Sequence, residues 1–293
     1  MALNFQTLAS SPANDAAYLW NVPTYMAIAY YHHKLSPDLQ SAIDRCQANP
    51  DAPCAPLQQA EQWAITDYSA ALSRGDSMSA QERQAVIDRL SQYTGLSKDV
   101  IDEFNLRINV GTFTHYLMLD QRLHVGRLDG RYALPEPAFP GSRLGSFTDP
   151  TATETGGPFT MTFNNYVRTE LAYKTDMPYY TFGQESGMFL WKSSGTTNAP
   201  GGPQGFQEEI TPLRAAVVGD PFLKVLVMEG YYDLATPYLQ AEYTIHELDL
   251  PASYRNNIRY ERYWSGHMVY LEQKSHAKLH GDWDTFVAQT KGE

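Results

Sequence analysis

The sequence predicts an α/β fold with an incomplete parallel sheet, on three observations. Residues 224 to 228, Lys-Val-Leu-Val-Met, are a short apolar run rich in β-branched side chains, as expected of a strand covered on both faces. Residues 258 to 263, Ile-Arg-Tyr-Glu-Arg-Tyr, read as a second strand, and the stretch between the two is helical, with Tyr243, Ile245 and Leu248 on its apolar side. Residues 36 to 130, by contrast, are helical in pattern and offer no convincing parallel-sheet strand. Two strands leave apolar faces and edges uncovered, so the expectation is a part of a larger protein, poorly ordered over its last third and better ordered in its helical block.

Taken in order, residues 1 to 35 hold a loop and an apolar helix from 18 to 31, interrupted by Pro23. In the block from 36 to 130, Ala64, Ile65, Tyr68 and Leu72 share one helical face. Val86, Ile87, Leu90 and Tyr93 share another, opened by a Ser79-x-x-Glu82 capping box and stopped by Gly95. Ser97 starts a third helix, with Ile101 and Phe104 on its buried side. Residues 131 to 205 are rich in Pro, Gly, Ser and Thr and read as long loops with one helix from 162 to 171. From 206 to 293 helix and strand alternate, and Leu279, Trp283, Phe286 and Val287 give the closing helix its apolar face.

Composition narrows the function. A chain of 293 residues can hold one large or two ordinary domains, and 43% hydrophobic content excludes a disordered chain. A formal charge of -11 argues against nucleic acid as a partner, because phosphate contacts need clustered Lys and Arg. No apolar run is long enough to span a membrane, and the N-terminus shows no basic segment followed by an apolar core. Twenty tyrosines and five tryptophans fit either a cleft that grips peptide side chains or ordinary packing.

Chemistry concentrates in two strings, Gly-Tyr-Tyr-Asp-Leu-Ala-Thr-Pro at 230 to 237 and Ser-Gly-His-Met-Val-Tyr at 265 to 270. Asp233 leaves the C-terminal end of the first strand and His267 lies on the loop beyond the second, so both project from one sheet edge. Gly230 lets the backbone turn, and Thr236 is expected to cap a helix that has Pro237 as its first residue. A carboxylate and an imidazole so placed read as the acid and base of a catalytic triad. The nucleophile of such a triad precedes them in a Gly-x-Ser-x-Gly turn, and no such turn occurs in the sequence. Ser186, in Gly183-Gln184-Glu185-Ser186-Gly187, has the wrong spacing and no helix signal after it, and Ser265 reads as a loop residue.

These strings resemble the acid and base motifs of the serine carboxypeptidase family, the group of carboxypeptidase Y and cathepsin A, and particularly its bacterial branch. The likeness extends to Asn4-Phe5-Gln6-Thr7-Leu8, Pro23-Thr24-Tyr25, Gly126-Arg127-Leu128-Asp129-Gly130-Arg131 and the stretch from Gly157-Pro158-Phe159 to Tyr166. It implies the C-terminal part of an α/β-hydrolase, with residues 36 to 130 as a helical cap inserted over the site. The family's oxyanion hole and Gly-Glu-Ser-Tyr turn would lie upstream, or on a complementing chain. What the resemblance implies for the complete enzyme is release of C-terminal residues from peptide substrates through an acyl-enzyme, without metal or organic cofactor. Related proteins act as acyltransferases; a non-catalytic or degenerate binding protein is the alternative. A periplasmic or secreted location follows if an upstream half carries a signal peptide. Met268 corresponds to a residue that lines the leaving-residue pocket in the family, or else fills a gap in the core.

Two further pairs carry a spacing signal. Cys46 and Cys54 flank the turn-rich Gln-Ala-Asn-Pro-Asp-Ala-Pro segment and either close a local disulfide or stay as thiols; the rigid, surface-like loop favours the disulfide. His276 and His280, with Asp282 and Asp284, have a spacing that can hold zinc, but solvated helix residues account for them and no metal site is assigned. His32 and His33 sit at a helix end, where a cation suits the dipole.

Overall fold

The computed structural model describes residues 14–135, 149–177, 179 and 209–291. The chain opens with α1 (Ala16–Trp20) and α2 (Val22–Tyr31), and the break falls at Asn21 rather than at Pro23. Pro23 occupies the first turn of α2, where a missing N–H costs nothing, while the Asn21 amide turns back onto Ala17 O at 2.6 Å. Every residue of α2 from Val22 to Tyr30 is buried, so this helix is apolar all round and forms the rod about which the others pack.

Around it lie α3 (Pro37–Ala48), α4 (Ala55–Trp63), a π-helical turn (Ala64–Tyr68), α5 (Ser69–Arg74), α6 (Ala80–Thr94), α7 (Lys98–Glu103) and α8 (Val110–Tyr116). The capping box forms as expected: Glu82 N donates to Ser79 Oγ, and Ser79 N donates to the Glu82 carboxylate. Gly95 ends α6 with φ +71°, the left-handed conformation that glycine adopts without strain. Ile65 departs from expectation. It is exposed while Ala64, Tyr68 and Leu72 are buried, because the wider π turn rotates it off the face that a regular α-helix would present. Cys46 and Cys54 are joined in a disulfide across the α3–α4 connection.

A short antiparallel ribbon, β1 (Leu123–Val125) with β2 (Ala133–Pro135), follows the helical block. Next comes α9 (Pro150–Thr169), which starts twelve residues before the helix expected at 162 to 171. Its Thr, Gly and Pro content reads as loop, yet Asp149 caps it by accepting from Thr151 N at 2.8 Å, and Pro150 takes the first turn. Only Pro150, Thr151 and Thr155 of α9 are buried, and Met161, Phe163 and Tyr166 stand exposed.

The last part contains α10 (Ile210–Gly219), β3 (Val225–Gly230), α11 (Tyr238–His246), α12 (Ala252–Arg255), β4 (Ile258–Tyr263) and α13 (Gln273–Lys291). β3 and β4 pair in parallel, from Val225 opposite Ile258 to Gly230 opposite Tyr263. With two strands in each sheet among the described residues, this is a helix-rich α/β arrangement whose sheets are not closed. β3 is therefore half-buried instead of covered on both faces, and Met228 is exposed. The closing helix is covered only in part: Leu279, Phe286 and Val287 are half-buried and Trp283 is exposed.

Two buried clusters result. The larger centres on α2 and takes in Tyr231, Tyr232, Leu234 and Tyr238 from the segment after β3, so the Asp233 loop is anchored in the helical core. The smaller joins Val217, Ile245, Leu248 and Leu250 beneath the strand pair. Tyr25, Tyr68, Tyr232, Tyr238 and Tyr263 are fully buried, with each hydroxyl hydrogen-bonded, so these five tyrosines serve packing. No described helix is long and apolar enough to cross a membrane.

Candidate active site

The parallel register sends the chain out of β3 at Gly230 and out of β4 at Tyr263, side by side at one sheet end. The two exits touch. A Cβ built on Gly230 would lie 2.5 Å from both Ser265 O and Gly266 O, so only glycine lets the second loop cross here. Both opposing atoms are backbone and no rotamer change relieves them. Gly230→Ala is therefore expected to cost about 1–3 kcal/mol, seen as a lower urea midpoint; unchanged stability would mean that the loops do not meet at this position.

Asp233 follows in a tight turn and is buried. Its Oδ1 accepts from Ala235 N at 2.7 Å and Thr236 N at 3.1 Å, an Asx turn, and its Oδ2 accepts from Thr236 Oγ1 at 2.6 Å and His267 Nδ1 at 2.8 Å. Four donors satisfy this carboxylate. Thr236 consequently does not cap the next helix. Pro237 holds the N-cap position with ψ 135°, the helix starts at Tyr238, and the Thr236 hydroxyl is committed to Asp233.

A carboxylate accepts and does not donate, so the proton in the Asp233–His267 bond sits on Nδ1, and in the neutral imidazole Nε2 carries the lone pair. The His267 side chain is 40% exposed, and among the described residues Nε2 has no hydrogen-bond partner. Chemically, the pair is an oriented imidazole able to take a proton at Nε2, with a buried anion to stabilise the imidazolium that results.

What holds the two loops in place is the turn from 126 to 131. His267 N donates to Leu128 O at 2.7 Å, Leu234 N to Arg127 O at 3.0 Å, and Gly130 N to Tyr232 O at 2.9 Å. Asp129, 1% exposed, binds Arg131 through both carboxylate oxygens, at 3.0 Å from Nε and 2.6 Å from Nη2. Arg131 Nη2 also donates to Ser265 Oγ at 3.2 Å, two residues before His267. Asp149 accepts from Arg127 N and Leu128 N, and Thr151 Oγ1 from Asp129 N, which ties the turn to the start of α9. The sequence shows no sign of Asp149 or Thr151, places Asp129 and Arg131 only within the Gly126–Arg131 string, and offers Thr236 as a helix cap and not as a partner of Asp233. The two glycines that close Gly126-Arg127-Leu128-Asp129-Gly130 were the available signal of a compact turn.

Met268 is half-buried beside His267 and, among the described residues, packs against neither buried cluster. Ser265 is fully buried and occupied by Arg131. Ser186 lies outside the described residues, as do Asn4 to Leu8. His280 pairs with Asp284 at 3.1 Å on the exposed face of α13, Asp282 binds Tyr263 and Lys278, and no group of three or more metal-ligating side chains is present among the described residues. His32 does not serve the dipole of α2. It is half-buried, its Nε2 lies 2.7 Å from Gly130 O, and burial holds its pKa below the usual value, so it is a neutral donor bracing the same turn. Compared with family models, curated proteins and solved structures, the chain finds no match in any of the three.

Proposed function

We propose that this chain contributes the acid and the base of a serine carboxypeptidase-like α/β-hydrolase, with Asp233 as acid and His267 as base. The observation that carries the reading is the 2.8 Å bond between Asp233 Oδ2 and His267 Nδ1, made by loops leaving adjacent parallel strands. In this scheme Nε2 takes the proton of a serine hydroxyl as it attacks a peptide carbonyl, then returns it to the leaving amine. Water repeats the cycle on the acyl-enzyme. The serine and the oxyanion donors come from a segment that carries a Gly-x-Ser-x-Gly turn, and Met268, next to the base in sequence, would meet the leaving residue as the family resemblance implies. No metal or organic cofactor enters the scheme.

The test uses the chain alone and the chain joined to such a segment. Alone, it is expected to turn over p-nitrophenyl esters and blocked dipeptides no faster than background, since an imidazole and a carboxylate supply only general-base help to water. Joined, it is expected to hydrolyse both and to take up one equivalent of a serine-directed phosphonate. Stoichiometric labelling of the chain alone would move the nucleophile to Ser186. A joined protein that folds but stays inert would favour the binding-protein alternative.

A further inference from the structure

Glu229, the penultimate residue of β3, is 5% exposed, and among the described residues no N–H or O–H donates to either of its carboxylate oxygens. Opposite it in register on β4 is Arg262, whose Nε lies 4.0 Å from Glu229 Oε2. That guanidinium is already engaged elsewhere. It donates through Nε to Glu242 Oε1 of α11 at 2.7 Å and through Nη1 to Glu61 Oε1 of α4 at 3.1 Å, while stacking over the Tyr238 ring. Tyr238 OH donates to the same Glu61 oxygen at 2.8 Å. Among the described residues, Tyr231 of the acid loop and Tyr260 of β4 are the further titratable groups around the cluster. α13 directs Lys278 and Asp282 to Glu261 and Tyr263 instead.

Three carboxyls thus share one cation in a site mostly withdrawn from water. Were all three ionised, two negative charges would be left uncompensated, at a steep cost in low dielectric. Burial works against the charge on Arg262, but Glu242, Tyr238 and Glu61 outweigh it and hold the guanidinium charged. The relief therefore comes from a carboxyl, and Glu229, the most buried of the three and the farthest from the guanidinium, is the one placed to keep a proton and share it with Glu242. Burial first, then repulsion by Glu242 and the proton shared with it, push its pKa up to about 10, and the pull of Arg262 offsets this only in part.

We propose that Glu229 is a proton-operated latch: with its proton it holds α4, α11 and the strand pair together, and on losing the proton it opens that junction. The inference goes beyond the hydrolase reading and does not depend on it. Its reach to the dyad is direct, since Glu229 precedes Gly230, the residue against which the His267 loop rests. The sign follows from linkage. In the unfolded chain the carboxyl ionises near its ordinary value of 4.5, whereas in the folded protein it holds its proton to about 10. Its contribution to stability is complete below the unfolded value and is lost progressively as pH rises toward the folded one, by up to one proton's worth of slope.

The experiment combines two measurements on the whole chain. In the first, side-chain carboxyls of ¹³C-glutamate-labelled protein are followed by NMR against pH, with Glu229 assigned through its backbone amide. Its carboxyl is expected to titrate above about pH 8, far from an ordinary glutamate. In the second, urea midpoints are compared between the parent and Glu229→Gln, which keeps the shape of the protonated acid. The parent midpoint should fall from about pH 5 to about pH 9 more steeply than that of the variant, which should be the more stable at the alkaline end. If Glu229→Gln does not fold, the NMR titration of the parent decides. A Glu229 carboxyl that titrates below about pH 6, or equal slopes for the two proteins, overturns the proposal.

Discussion

Replacing His267 with alanine in the joined, serine-bearing protein is expected to remove nearly all turnover. Asp233→Asn should leave folding and substrate binding largely intact and lower the rate by about 10⁴, the order found where a triad aspartate is changed to its amide. The asymmetry has a structural cause. Asparagine can keep the turn that Asp233 makes with Ala235 N and Thr236 N, so the loop survives. Its amide presents a donor or a neutral oxygen to Nδ1 in place of a carboxylate, which favours the wrong tautomer and withdraws the charge that stabilises imidazolium. His276→Ala and His280→Ala, both on the exposed face of α13, should be neutral. The measurement is kcat/KM on a blocked dipeptide. More than about a tenth of the activity remaining in His267→Ala would end the triad reading, because the residual rate without a base is far lower.

Arg131→Ala is expected to be the most destabilising single change near the site. It would strip both charge-assisted bonds from Asp129 and leave a 1% exposed carboxylate with only the Arg131 backbone N–H at 3.1 Å and no cation. Breaking a buried pair from one side costs about 3–5 kcal/mol. Changing both partners, as Asp129→Asn with Arg131→Met, should cost less than Arg131→Ala alone, since no charge is then left buried. Urea denaturation of the three proteins ranks them. The loss should reach the dyad, because His267 N, Leu234 N and Gly130 N all depend on this turn, and a weakened Nδ1–H signal of His267 in the NMR spectrum would report it. A loss of less than about 1 kcal/mol in Arg131→Ala would show that water reaches Asp129 and that the turn is not a splint.

Local signals set much of the architecture. The two strands lie within two residues of the stretches expected from their apolar runs, and the Ser79 capping box, the Gly95 stop and the Ser97 cap form where the sequence puts them. Such signals act over a few residues, through hydrogen bonds and side-chain periodicity that need no distant partner. The same range explains the misses. Ile65 was placed by a regular period that a π turn disrupts, and the first turns of α9 were hidden by low-propensity residues that Asp149 and Pro150 nonetheless organise into a helix.

Asp233 and His267 stood out in the sequence as residue types in characteristic strings, each at the end of a strand. Their projection from one sheet edge was an expectation; the contacts that make them meet were not legible. The meeting depends on Gly230 letting one loop cross the other, on Thr236 serving the carboxylate instead of a helix, and on Arg131 reaching Ser265 across 134 residues of chain. The ionisation of Glu229 is further still from local reading, since it is set by Glu61 and Arg262, 201 residues apart, and by how little water reaches them. Secondary structure followed from nearest neighbours along the chain; distances, burial and charge state depend on neighbours in space, which only the packed structure supplies.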